Sequence, residues 1–481
     1  MTAVRTPNLA RTPTLAPSPT PAPLNTPNPQ LLRQTPTPDP LRHIPDHGVI
    51  TSTYTVRSGD TLSAIAAVTG ATVEELMQMN HLADADALKA GQVLEILLPI
   101  TGHAPSIKLI PDSELIDSPS AAAAHFDVGT FMGAHLGYLN RYSETVDGVN
   151  LTGPQLVARV AEQFSVHPRL LLALLEYKGG WVDNPNPEGD GLKYALGYNR
   201  TDRVSLNLQL NWAAARLNEG YYGWRLGTRL YVRLDDGARA YMGDGINAGT
   251  AGLQNYLAAI STAPVWLDVL GDGPRGFIQT YKRLFGNPWQ YDLGRLVPDG
   301  LRQPELQLPF RKGQTWLYTG GPHAAWGVGS PWGALDFTSW SAYGCNQLYE
   351  WVTAMAPGVV ARSNDGEVVE ALDPSGDEHN GWSILYMHIG SDGRAKVGDR
   401  LQVGSQIGHP SCEGGVTNGS HTHVVRKYNG EWLTAGGSIP FVLSGWTAVE
   451  GSQEYDGVLT KGVITRTPCE CKELNTNAIS W

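Results

Sequence analysis

The spacing of apolar residues changes character twice along this chain, which predicts three structural units after a leading spacer. From about residue 51 to 99 the pattern is short and mixed. Tyr54-Thr55-Val56 alternates as a strand, and Ser58-Gly59-Asp60-Thr61 turns into a helix beginning at Leu62, with Leu62, Ile65, Ala66 and Thr69 on one face. Asp60 or Thr61 is placed to accept the unpaired N–H groups of that helix, and Gly70 to end it. A second helix is predicted from Val73 to Asn80, and Val93-Leu94-Glu95-Ile96 closes the unit as a strand. Residues 120–300 follow the helical period. Leu156, Val157, Val160 and Phe164 form one stripe, and Pro168 opens a nearly continuous apolar helix through Glu176. Leu206, Leu210, Ala213, Ala214 and Leu217 form another stripe. From about 301 the period becomes two, with strands predicted at 358–362, 367–370 and 382–388 between Gly-, Asn- and Asp-rich turns.

Residues 1–48 fit none of these patterns. They form a Thr/Pro tract holding twelve of the 33 prolines, which predicts an extended spacer with no core. A length of 481 residues suits about three domains of ~100–200 residues. Apolar runs are too short for a membrane span. A net charge of -11 argues against nucleic acid, whose binders concentrate basic residues. No cationic segment with an apolar core opens the chain, so export is inferred from the spacer and the Gly-, Trp- and Tyr-rich composition. A monomer is expected.

Six of the 13 histidines fall between 323 and 423. His421 and His423, two apart, would share one face of a strand, and His388 ends another predicted strand. Asp336 lies among apolar neighbours in Trp332-Gly333-Ala334-Leu335-Asp336-Phe337. A buried carboxylate needs a counter-charge, which a metal or an Arg could supply. Imidazole and carboxylate are zinc ligands, and a catalytic zinc takes three protein ligands. His379 and His409 are read as loop residues, and Trp326, Trp332 and Trp340 as aromatic residues beside the cleft. The four cysteines, Cys345, Cys412, Cys469 and Cys471, allow three pairings. Cys469 and Cys471, one residue apart, are poorly placed to bridge each other.

Three resemblances extend this reading. The segments "YTVRSGDTLSAIA", "LMQMNHL" and "LKAGQVLEI" resemble the LysM module, which implies a βααβ unit binding N-acetylglucosamine-containing glycan between the turn at Gly59, Asp60 and Thr61 and the loop near Leu88. The middle segment "SVHPRLLLALLEYKGGW" is faintly similar to lysozyme-like transglycosylases and would put Glu176 at the catalytic acid, although Tyr177 replaces the usual Ser. The segments "GGPHAAWGVGSPWGALDF", "GWSILYMHI" and "VGSQIGHPSCEGGVTNGSHTHVVRKYNGEW", over roughly 310–475, resemble the beta-lytic metallopeptidases and staphylolysin, a branch of the lysostaphin-type zinc endopeptidases. That likeness implies one zinc held by His323, Asp336 and His423, catalytic histidines at His388 and His421, and cleavage on the amine side of glycine. It also implies a partner for Cys412, with Cys345 a candidate.

The expected architecture is therefore a spacer (1–48), a LysM module (51–99), a mainly helical middle domain (120–300) and an antiparallel β-rich zinc peptidase domain (305–475). The expected function is a secreted peptidoglycan endopeptidase. Its alternatives are a non-catalytic wall-binding protein on the same scaffold, or glycan cleavage through Glu176.

Overall fold

The computed structural model describes residues 42, 44, 48–69, 71–100, 102–119 and 126–481. The Thr/Pro tract, apart from Arg42, Ile44 and Gly48, and the proposed helix stop at Gly70 lie outside them.

The first unit has the expected order: strand β1 (Gly48–Thr55), helix α1 (Leu62–Thr69), helix α2 (Val73–Met79) and strand β2 (Val93–Ile100), with β1 and β2 antiparallel. Thr61 caps α1, its Oγ1 accepting from Ala64 N at 3.1 Å. Asp60 instead accepts the Tyr54 hydroxyl and the Arg57 N–H, at 2.9 and 2.7 Å, and so braces the turn. Thr72 and Glu75 form a reciprocal capping box on α2. Val56 exchanges hydrogen bonds with Gly91 and Gln92, which makes the Gly59–Thr61 turn a neighbour of the loop that follows Leu88.

The middle unit is mainly helical. A hairpin of β3 (Ser143–Val146) and β4 (Val149–Thr152) leads into α3 (Gly153–Phe164), α4 (Pro168–Gly179), α5 (Leu206–Leu226), α6 (Ala248–Ala259) and α7 (Phe277–Phe285). Pro154 and Pro168 occupy first turns, where a missing N–H costs nothing.

The third unit is built on a long antiparallel sheet. Its strands are β5 (Thr315–Ala324), β6 (Trp332–Ser339), β7 (Gly358–Asn364), β8 (Glu367–Ala371), β9 (Trp382–Met387), β10 (Arg400–Leu401), β11 (Thr422–Tyr428) and β12 (Ala478–Ser480). They lie in the order β10-β7-β8-β9-β11-β6-β5-β12. Alternation of side chains separates two cores. Leu335, Phe337, Ile384, Tyr386 and Val424 face a core internal to this unit. Ala334, Val369, Leu385 and Val425 face the other way and merge with the core of the helical unit. The helices are therefore docked on one face of the sheet, and two units that differ in sequence period share one hydrophobic core.

Polar groups line the same junction. Ser165 Oγ donates to Gly430 O at 2.5 Å, the Tyr222 hydroxyl accepts from Trp432 N at 2.9 Å, and Gln163 reaches Glu367 at 3.3 Å. His379, read from sequence as a loop residue, is largely covered and ion-paired to Asp117 and Asp377 at 3.4 and 3.0 Å. Burial acts against its charge, but these carboxylates overcome it and hold the imidazole up at about 10.

On the sheet's far face Glu370 is fully buried. One carboxyl oxygen accepts the Tyr386 hydroxyl at 2.6 Å and the other has no partner. Burial raises its pKa to about 8, against only a modest opposing effect of that hydrogen bond. The folded protein thus keeps a proton that the unfolded chain releases near 4.5, so stability falls as pH climbs between these values and levels off above. Glu370→Gln is expected to flatten this dependence, stabilising the protein at pH 8 by roughly 3 kcal/mol relative to pH 5, as read from denaturant unfolding at the two pH values.

Candidate metal centre

The sheet brings together all five C-terminal residues singled out above. His323 lies near the end of β5, Asp336 in the middle of β6, and His423 near the start of β11, with His421 just before that strand and His388 just after β9. Antiparallel register sets His423 opposite both Asp336 on β6 and Met387 on β9. Four adjacent strands therefore deliver their polar residues to one end of one face.

At the centre is the Asp336 carboxylate, buried, with no hydrogen-bond partner for Oδ1. Three imidazole nitrogens surround that oxygen: His423 Nδ1 at 3.3 Å, His323 Nε2 at 3.4 Å and His421 Nε2 at 3.6 Å. His323 Nε2 and His423 Nδ1 are 3.0 Å apart. Among the described residues no Arg pairs with the carboxylate, so nothing there supports the salt-bridge alternative for Asp336. Burial works to raise its pKa, but the imidazoles outweigh burial and hold it well below the usual range. Gly320 pairs with Asp336, and a Cβ there would lie 2.3 Å from Asp336 Oδ2, so glycine is required.

Each ring has its tautomer set by the backbone. His323 Nδ1 meets Gly321 O at 2.7 Å, His423 Nε2 meets Ala325 O at 3.1 Å, His421 Nδ1 meets Gly419 O at 2.8 Å, and His388 Nδ1 meets Glu413 O at 3.1 Å. A carbonyl can only accept, so each of these nitrogens carries the proton and the opposite nitrogen keeps its lone pair. Outer hydrogen bonds of this kind orient metal-ligating histidines. His323, Asp336 and His423 offer ligand atoms that all lie within 4.8 Å of one another. An unpartnered carboxylate oxygen facing two oriented lone pairs is a donor set that fits a divalent cation.

The remaining histidines flank this group. His388 and His421 have ring centroids 4.5 Å apart. Burial, then the neighbouring His421 and His423, lower the His388 pKa to about 3, which keeps it neutral. Its backbone is left-handed, at φ 61°. Tyr455, which the sequence pattern did not reveal, stacks on His323 with centroids 4.2 Å apart. It comes from a loop whose backbone bonds to Gly321 and Pro322. Trp326 packs edge-on against Phe164 of the helical unit, and Trp332 is half-buried, whereas Trp340 is exposed.

Cys345 is bonded to Cys412, which ties the loop after β6 to the loop leading into His421. Ser420 adds a bond to Gly344 O at 2.7 Å. Cys469 and Cys471 are bonded to each other, against the expectation from their spacing. Asn477 holds that tight loop, its side chain donating to the carbonyls of both cysteines at 3.0 and 2.8 Å. Glu176 is far from this centre in role. Its Oε2 accepts from Val182 and Asp183 N–H at 3.0 and 3.1 Å, and its Oε1 pairs with Arg283 at 2.8 Å. The carboxylate closes the turn after α4.

Comparison with known proteins finds relatives for each of the three units. The LysM domain family matches residues 54–96, and the family described as the LasA N-terminal domain matches residues 108–299. The beta-lytic metalloendopeptidase of Achromobacter lyticus is 29% identical over 179 residues, covering 35% of this chain and 43% of that protein. The N-acetylmuramoyl-L-alanine amidase XlyA of Bacillus subtilis (strain 168) is 32% identical over 119 residues, 24% of this chain and 39% of that protein. The chain thus spans about two fifths of the length of each of these relatives. Among solved structures, the deep-sea M23 metalloprotease pseudoalterin is 25% identical, covering 34% of this chain and 96% of that one, with a TM-score of 0.30. The lysostaphin catalytic domain of Staphylococcus simulans is 21% identical over 25% of this chain and 89% of that one, with a TM-score of 0.19. This chain therefore joins a LysM domain and a LasA N-terminal domain to a C-terminal domain homologous to the beta-lytic, lysostaphin-type metalloendopeptidases.

Proposed function

We propose that this protein is a zinc-dependent peptidoglycan endopeptidase acting outside the cell or at the wall, with one zinc held by His323 Nε2, Asp336 and His423 Nδ1. The observation that carries this reading is the orphaned Asp336 Oδ1 facing two imidazole lone pairs. Zinc bound there would supply a Lewis acid for the scissile carbonyl and an acidified water.

The chain's own residues then handle protons and orientation. His388, kept neutral by burial and with its Nδ1–H held by Glu413 O, offers the Nε2 lone pair as a hydrogen-bond acceptor that can orient the attacking water. His421 is held by Gly419 and the Thr417 hydroxyl and turns Nε2 toward the same centre, where it can orient the nucleophile or protonate the leaving amine. The LysM unit, with Gly59, Asp60, Thr61 and Leu88 at its proposed glycan groove, would tether the peptidase to the wall. Tethering of this kind raises apparent affinity ~10²–10⁴-fold without new contacts at the catalytic centre. The bonded state of Glu176 favours peptide cleavage over glycan cleavage, because its oxygens are committed to backbone N–H groups and to Arg283.

Three outcomes test the proposal. Asp336→Asn should weaken zinc binding by more than about 100-fold, the scale already reached by losing an outer hydrogen bond to a ligand, as measured by competition with a chromogenic chelator. His388→Ala and His421→Ala should keep the metal and lose kcat by about 10²–10⁴-fold. In a peptidoglycan digest, wild type and Glu176→Gln should both release new amino groups. Release of reducing or anhydro-sugar ends that Glu176→Gln abolishes would reverse the assignment.

A further inference from the structure

A single guanidinium of the helical unit grips the tips of two hairpins. Arg159, on α3, donates Nη2 to Asp147 at 2.6 Å and Nε to Asp365 at 2.9 Å. Asp147-Gly148 is the turn of the β3–β4 hairpin, and Asp365-Gly366 is the turn of the β7–β8 hairpin in the sheet unit. All four residues have positive φ: 51° and 82° in the first turn, 44° and 76° in the second. Both are Asp-Gly turns of the kind that suits tight hairpins. The Arg159 side chain is only 15% exposed and clamps one tip to the other.

The second turn leads directly to the active-centre histidine. Gly366 O accepts from Ile389 N, the residue after His388, at 2.9 Å. Gly366 also packs on the backbone of Glu413, where a Cβ on Gly366 would lie 2.5 Å from the Glu413 carbonyl oxygen. Gly414 is equally close, since a Cβ on it would lie 2.3 Å from Asp365 O. Glu413 O is in turn the acceptor for His388 Nδ1. An unbroken path of bonds and backbone contacts runs from Arg159 through Asp365-Gly366 to both sides of His388.

We infer that Arg159 is a positioning residue: the helical unit, through the Arg159–Asp365 pair, holds the turn and the Glu413 loop that together fix the His388 ring. This inference rests on the proposed water-orienting role of His388. It assigns the helical unit an indirect part in catalysis, exerted through the turn and loop that hold His388. A left-handed backbone at His388 is strained for a non-glycine residue and persists only where its surroundings enforce it. The Asp365-Gly366 turn and the Glu413 loop are those surroundings.

The test uses the full chain loaded with zinc and a soluble peptidoglycan-derived peptide. Arg159→Met and Asp365→Asn should each lower kcat about tenfold while KM and bound zinc stay within about twofold, the scale expected when an outer partner of a reacting group is lost. Arg159→Lys should recover part of the loss, and the double variant should be no worse than either single one. In the metal-free protein both single variants should speed hydrogen–deuterium exchange in segments 386–392 and 411–416 and leave α4 and α6 unchanged. An unaltered kcat in Arg159→Met, a change confined to KM, or exchange raised throughout the chain would overturn the inference. His388→Ala separates the two levels. If it retains activity, the reading of His388 itself falls. If it is inactive while Arg159→Met and Asp365→Asn behave as wild type, only the role of Arg159 falls.

Discussion

Much of the sheet unit is organised around the burial of one ionised carboxylate. Asp336 is largely withdrawn from water, and an isolated charge in that position would be very costly. The rings on neighbouring strands turn lone pairs rather than N–H groups toward its Oδ1, so the proposed cation would supply the compensation, and the register of β5, β6 and β11 is what assembles its donor set. A one-residue slip in β11 would turn His421 and His423 to the opposite face and leave Asp336 uncompensated. Glycine at position 320 and backbone acceptors for each ring follow from the same demand, since the rings must approach closely and present lone pairs inward.

The face that carries this centre is also the face on which the helices dock. Near β11 it passes from apolar Val425 to His423, and on β6 from Ala334 to Asp336. The helical unit covers the apolar end and the candidate metal centre occupies the other. Loop 325–331 lies between them: Ala325 O orients His423, while Trp326 meets Phe164 and Gly329 abuts Ala215 and Glu219 of α5.

How much of this the sequence disclosed depended on how local the cause was. Thr61 as a cap of α1 could be read from a few neighbouring residues, and the helix at Pro168 from its first turn. The pair His421 and His423 announced a shared face because a strand's period is two. His323, Asp336 and His388 could be grouped only through resemblance, since nothing in their own segments encodes which strands will be neighbours. Tyr455 left no signal, because its place over His323 depends on a loop more than a hundred residues away. His379 was missed for a similar reason: its partner Asp117 belongs to another unit. Spacing misled for Cys469 and Cys471, where the Asn477 side chain supports a loop that two isolated cysteines would not suggest. Glu176 was a candidate acid only through a faint resemblance, and its setting is that of a carboxylate tying off a turn.

The continuous core under the sheet bears on how such proteins can be recombined. Val369, Leu385, Val425 and Trp432 are buried beneath the helices, and cutting the chain near residue 300 would strip them bare together. An apolar patch of that kind invites aggregation. A chimera that exchanges the LysM unit while preserving solubility should therefore be spliced just after β2, with residues from about 102 onward, whose first strand pairs with 240–241, transplanted as one indivisible cassette.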